Sequence, residues 1–273
     1  MNTVLLVGCG KMGGALLAGW IEQDLLGSGI KIVEPRGTAL NVAGLSERGI
    51  TVVGSADALD PAFVPDVIVF AVKPQALGDV APAYRRFSKS TVFLSVAAGC
   101  TIRSLQTLLG PEAAIIRCMP NTPAAVRQGV TVACANAGAS GAQRALCTRL
   151  LEAVGEVAWI EDEDLMDAVT AVSGSGPAYL FLVAEELAAA GIAAGLPPNL
   201  AERLARLTIT GAGALLASSP LSPSQLRENV TSPGGTTEAA LTILKRPGGL
   251  SDLMTTAVRS AAERSRALSR QLP

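Results

Sequence analysis

The chain has 273 residues, which at the usual ~100–200 residues per domain allows one large domain or two smaller ones, and two is the expectation. Lys and Arg number 22 against 23 Asp and Glu, so the net charge of −1 offers no basic excess for a phosphate backbone and disfavours nucleic-acid binding. With 49% apolar and 16% charged residues a large core can form and disorder is excluded, while the absence of His removes His-based zinc sites and Ser-His-Asp or Cys-His triads.

From the first residue to about 160, short β-branched runs alternate with helix-like segments, the pattern of βαβ units around a parallel sheet. The strands expected are Thr3–Val7, Ile30–Glu34, Asp66–Val72, Thr91–Val96, Ala114–Cys118, Val130–Ala133 and Glu156–Ile160, with Thr51–Val53 as a short candidate. Beyond 160 the texture becomes Ala- and Leu-rich with helical spacing at 177–195, 199–217, 236–246 and 251–271. So few helices cannot bury their apolar faces alone, which points to another subunit. The expected fold is therefore α/β: a Rossmann-type dinucleotide-binding domain at 1–161, then an all-α substrate-binding and dimerisation domain at 162–273.

Five cysteines at 9, 100, 118, 134 and 147 form no CxxC pair, so no disulfide framework or metal site is expected and a reducing cytoplasm fits best. Mean hydropathy is +0.40, yet the uncharged stretches Ala168–Ala184 and Leu207–Leu226 are broken by Gly and Pro and do not read as membrane spans. The apolar N-terminus lacks the positive n-region of a signal peptide.

Gly8-Cys9-Gly10-Lys11-Met12-Gly13 follows the first strand and opens the first helix, the context a dinucleotide fingerprint requires. Gly8 permits the tight turn, Gly10 the approach of a pyrophosphate and Gly13 close helix packing. At the end of the second strand Glu34 could accept ribose hydroxyls and favour NAD, whereas Arg36 could pair with a 2′-phosphate and favour NADP; the guanidinium fork tips the reading to NADP(H), with NAD(H) still open. Ala71-Val72-Lys73-Pro74 and Ser95-Val96-Ala97-Ala98-Gly99 end strands at the same edge and could line the nicotinamide end. Val172–Tyr179 and Asn229–Thr237 read as Gly-rich loops, each starting a helix, whose N–H groups and hydroxyls suit a small carboxylate. The acidic run Glu161–Asp164 reads by default as a helix cap.

In chain order, the glycine loop, AVKP at 71–74, SVAAG at 95–99, RCMPNTP at 117–123, DAVTAVSGSGPAY at 167–179 and VTSPGGTT at 230–237 closely resemble the pyrroline-5-carboxylate reductase family over almost the whole chain. The resemblance implies NAD(P)H-dependent reduction of L-1-pyrroline-5-carboxylate to L-proline, the last step of proline biosynthesis, in a cytoplasmic homodimer joined through the helical domain or a ring of such dimers. It further implies that Ser232, Gly235 and Thr236 hold the substrate carboxylate through backbone N–H groups and that Thr237 bonds the ring nitrogen through its hydroxyl. Glu163 would line the same pocket and Asn229 would stand near the nicotinamide; Lys11 and Met12 belong to the cofactor loop. An imine can enter already protonated, so a chain without His needs mainly orientation and electrostatics. The rivals are an imine reductase on a related cyclic imine, a 3-hydroxyacid dehydrogenase, and an NAD(P)-binding sensor or scaffold without catalysis. A dehydrogenase lysine is wanting, since Lys245 is the only lysine of the helical half, and decay expected of a sensor is absent from Ser232–Thr237.

Overall fold

The computed structural model describes residues 2–25, 27, 29–35 and 42–270. In chain order the elements are β1 (Val4–Val7), α1 (Lys11–Glu22), β2 (Ile30–Val33), α2 (Val42–Ser46), β3 (Thr51–Val53), β4 (Val67–Phe70), α3 (Pro74–Val80), β5 (Val92–Ser95), α4 (Ile102–Leu109), β6 (Ala114–Met119), β7 (Gly129–Ala135), α5 (Gly141–Glu152), β8 (Gly155–Trp159), α6 (Met166–Val169), α7 (Gly176–Ala193), α8 (Pro198–Ser218), α9 (Pro223–Asn229), α10 (Thr236–Leu244) and α11 (Leu250–Ser269). The chain divides into two compact units, residues 1–174 with 261–273, and residues 175–260.

The first unit is built on an eight-stranded sheet of order β3-β2-β1-β4-β5-β6-β7-β8. Strands β1, β4 and β5 are buried at every residue, because helices cover both faces and leave no polar side to alternate with. One face packs Leu16, Trp20, Cys147 and Leu150; the other packs Leu77, Tyr84, Phe87 and Leu105. Buried Trp20 still satisfies its indole, donating Nε1–H to the Leu150 carbonyl at 2.8 Å. Phe70 stacks on Phe93 with centroids 6.0 Å apart, and Tyr84 meets Phe70 edge-on at 5.6 Å.

All neighbouring strands run parallel except β6 and β7, which pair antiparallel from Ile116↔Ala135 to Met119↔Val132. The parallel pattern is interrupted there because residues 120–128 hold only a short 3-10 turn, Thr122–Val126, too little chain for a helical crossover. From β7 the chain returns to parallel pairing through α5, whose start is a full capping box between Ser140 and Gln143.

A second correction concerns Val172–Tyr179. The segment is no loop: a π-turn at Thr170–Gly174 follows α6, and α7 begins at Gly176, so the chain is helical almost continuously. Gly174 is used for close approach rather than for breaking the helix, since a Cβ there would come within 2.3 Å of Met119 Cε. Within the helical run Glu163–Ala193, 31 residues, one 18-residue window reaches a mean hydropathy of 1.3, enough by length and composition alone to cross a bilayer, while Glu163, Asp164 and Asp167 at the start of the run and Glu185 and Glu186 in its body weigh against a span. Its first part is committed to the first unit: Met166 and Ala171 are buried there, and Ser265 of α11 donates to Asp167 Oδ1 at 2.5 Å.

In the second unit α7 and α8 form a helical hairpin, and α9, unforeseen in the sequence, starts with a capping box of Ser222 and Gln225. Few side chains are buried in it, mainly Ala188, Ala201 and Ala205. Phe181, Leu207, Ile243 and Leu253 are more than half exposed, so these helices present apolar faces that nothing in their own unit covers.

Candidate active site

The carboxyl ends of β1, β2, β3 and β4 open into a cleft of about 570 Å³, at the point where strand order reverses between β1 and β4. A doubly wound sheet binds its ligand at that position, because adjacent loops diverge there and leave a crevice. Gly8 leaves β1 with φ +86°, and a Cβ on it would lie 2.7 Å from Val72 Cγ1. Gly13 is tighter: its Cβ would stand 2.4 Å from the Gly8 carbonyl oxygen and 3.1 Å from Ala71 Cβ. The two glycines thus let α1 begin directly against the loop. Among the described residues the N–H groups of Gly10, Lys11, Met12 and Gly13 have no partner, and the first intrahelical bond is Gly14 N–H to Gly10 O at 2.8 Å. Open donors at the positive end of a helix form an anion receptor of the kind a pyrophosphate fits.

Cys9, between the glycines, donates its backbone N–H to Glu34 Oε2 at 2.8 Å, so Glu34 ties the end of β2 to the loop while lining the cleft. Burial, reinforced by the Glu34 carboxylate, pushes the Cys9 thiol up to about 11, so it is a neutral packing group at neutral pH. Ala71, Val72 and Lys73 line the cleft from the end of β4, and Pro74 starts α3 behind them. Ala98 is an exposed residue of the turn after β5. Arg36 lies outside the described residues. Sequence reasoning missed the far wall, Gly54 to Asp57 after β3, Asp79 and Val80 at the end of α3, and Tyr84 just after it. Only the strand order shows that β3 and α3 border the same crevice, so no motif signalled them.

Glu163 Oε1 accepts from Arg117 Nη1 at 2.7 Å and from Ile102 N–H at 2.8 Å, linking the chain after β8 to β6 and to the start of α4. The Arg117 side chain is only 7% exposed. Asp162, the residue before Glu163, caps the short turn at 163–165, accepting from Asp164 N–H at 2.9 Å, as the acidic run suggested.

In the second unit Asn229 ends α9 and the loop 230–235 leads into α10. The Gly235 N–H donates to Ser232 O at 3.0 Å and the Gly234 N–H to Glu238 Oε2 at 2.7 Å, so both are engaged within the loop. The N–H groups of Thr236, Thr237 and Glu238, and the Thr237 hydroxyl, have no partner among the described residues. Ser232 is exposed and Thr237 half-buried.

A glycine loop with open N–H groups, at the switch point of a doubly wound sheet and followed by a separate helical unit, defines the class: an NAD(P)-dependent oxidoreductase. Residues 3–99 match the family model described as NADP oxidoreductase coenzyme F420-dependent, and residues 163–268 match that described as pyrroline-5-carboxylate reductase dimerisation. The chain is 41% identical over 271 residues to the pyrroline-5-carboxylate reductase of Pseudomonas aeruginosa, covering 98% of this chain and 97% of that protein. It is 40% identical over 268 residues to that of Pisum sativum, covering 98% and 96%. Among solved structures, a pyrroline-5-carboxylate reductase from Coxiella burnetii matches with TM-score 0.89 and 33% identity over 98% of both chains. One from Plasmodium falciparum, solved with NADP bound, matches at 0.82 and 29%, again over 98% of both. The chain belongs to the pyrroline-5-carboxylate reductase family.

Proposed function

We propose that the chain reduces L-1-pyrroline-5-carboxylate to L-proline, with residues 1–161 binding the dinucleotide and 162–273 supplying the substrate-binding and dimerisation helices. The observation that carries this is the presence of two sets of N–H groups without a partner among the described residues, at 10–13 for a pyrophosphate and at 236–238 for a carboxylate, in a chain of this family. The bound nicotinamide dinucleotide supplies the hydride. The chain's own residues orient the ring and exclude rival geometries: the segment of Ser232, Gly235 and Thr236 receives the substrate carboxylate at the open N–H groups that begin α10, the Gly235 N–H being engaged by Ser232 O, and the Thr237 hydroxyl bonds the ring nitrogen. Glu163, whose Oε2 has no partner among the described residues, is assigned to binding the substrate, and Asn229 to the nicotinamide. Thr237 is too weak an acid to drive the reaction, so it positions an imine that arrives protonated.

The cofactor is NADPH in this reading. A guanidinium fork such as that of Arg36 rewards a 2′-phosphate strongly, and Glu34 has its Oε2 engaged by the Cys9 N–H. The exposed apolar residues of α7, α8, α10 and α11 become covered in a homodimer, which a ring of dimers would extend.

The test is oxidation of NADPH and NADH by the purified chain with 1-pyrroline-5-carboxylate, beside a six-membered cyclic imine and a 3-keto acid. Turnover with the pyrroline is expected, whereas cofactor binding without turnover of any substrate would favour a sensor. Thr237→Ala should lower kcat about tenfold, less than the roughly 10²–10⁴-fold of a true acid-base group, with NADPH binding unchanged. For Arg36→Ala the KM for NADPH should rise while that for NADH stays put; equal rises would remove Arg36 from phosphate recognition.

A further inference from the structure

Pro233-Gly234-Gly235-Thr236-Thr237-Glu238 has a twin fourteen residues on, Pro247-Gly248-Gly249-Leu250-Ser251-Asp252. The two fold alike. Gly234 and Gly248 take φ +71° and +73°, and each donates its N–H to the carboxylate four residues later, to Glu238 Oε2 at 2.7 Å and to Asp252 Oδ2 at 2.6 Å. The following glycine donates backwards in both, Gly235 to Ser232 O at 3.0 Å and Gly249 to Arg246 O at 2.8 Å. A carboxylate reaching back from the first helical turn is a helix-start device, favourable to the helix dipole and to the left-handed glycine. At α11 nothing more than that is asked of it.

At α10 the same carboxylate has a second consequence. Glu238 is exposed and sits in the first turn of α10, whose open N–H groups, 236–238, receive the substrate carboxylate in the function proposed above, on which this inference rests. A resident negative charge there opposes every incoming anion. A ligand that carries its own positive nitrogen beside its carboxylate is compensated, and a bare carboxylate is not. We propose that Glu238 is a specificity-determining positioning residue: by hydrogen bond it sets the turn at Gly234, and by charge it makes the loop select carboxylates accompanied by a protonated ring nitrogen over simple anions.

The experiment compares inhibition of the full chain's NADPH-dependent pyrroline reduction by L-proline, a zwitterion, and by cyclopentanecarboxylate, an anion of the same shape without the nitrogen. Glu238→Gln keeps an oxygen for the Gly234 N–H and removes the charge. The ratio of the cyclopentanecarboxylate Ki to the proline Ki should fall by about fivefold, the scale of one charge a few ångströms away in a solvated site. Glu238→Ala, favourable in an exposed helix, must shift the ratio the same way even if Glu238→Gln folds poorly. Asp252→Asn, the same change in the twin, must leave it where it was. A ratio unchanged in both Glu238 variants, or shifted equally by Asp252→Asn, reduces Glu238 to a helix cap and overturns the proposal alone. A wild-type chain that does not turn over the pyrroline overturns the functional reading itself.

Discussion

Gly13→Ala is expected to raise the Kd for NADPH by about 100-fold while leaving the chain folded. The added Cβ would sit 2.4 Å from the Gly8 carbonyl oxygen, a backbone atom with no rotamer to yield, and 3.1 Å from Ala71 Cβ. Relief requires α1 to slide away from the glycine loop, and this moves the open N–H groups of residues 10–13 off the pyrophosphate together. Displacements of ~1 Å in such a receptor cost on the order of 10²-fold. The sheet is insulated from the change, since the core residues of α1, Leu16, Leu17 and Trp20, lie further along the helix. Fluorescence titration with NADPH, beside circular dichroism for the fold, measures both halves of the statement. A Kd within twofold of wild type at unchanged helicity would show that the loop does not grip the cofactor through these donors.

The second large effect is on stability. Arg117→Met should destabilise the first unit by about 3 kcal/mol, the lower end of the roughly 3–5 kcal/mol for breaking a buried pair, because the Glu163 side chain keeps 27% exposure and can be partly hydrated. For a chain of this size that is a fall in Tm of about 6–12 °C at fixed protein and cofactor concentration. The loss comes mostly from the group left behind: Glu163 would keep only the Ile102 N–H at 2.8 Å. Adding Glu163→Gln removes the orphaned charge and keeps that acceptor, so the double variant should recover most of the loss in a thermal melt. A double variant as unstable as the sum of its parts would mean that Arg117 acts through packing and not through Glu163.

Much of the first unit is legible in the sequence because its signals are local. A buried parallel strand must be apolar throughout, so Val67–Phe70 announces itself, and a glycine loop between strand and helix can be placed without knowing any neighbour. The departures share one cause, an interaction between residues far apart in the chain. Gly174 looks like a helix breaker until Met119 stands against it, and β7 looks like one more parallel strand until its short connection to β6 is measured. Glu163 reads as a cap within its acidic run, yet its carboxylate goes to Arg117, 46 residues earlier.

The sequence by itself thus determined the fold class, the dinucleotide loop, the helical second half and the family, all carried by short-range patterns or contiguous motifs. Only the tertiary structure decided which walls complete the cofactor cleft, since Asp57, Asp79 and Tyr84 come from segments brought together by strand order. It alone also assigned the partners of Glu34, Glu163 and Glu238. A carboxylate's type and position show that it needs a donor, but which N–H or guanidinium answers is settled by backbone geometry that residue spacing does not encode.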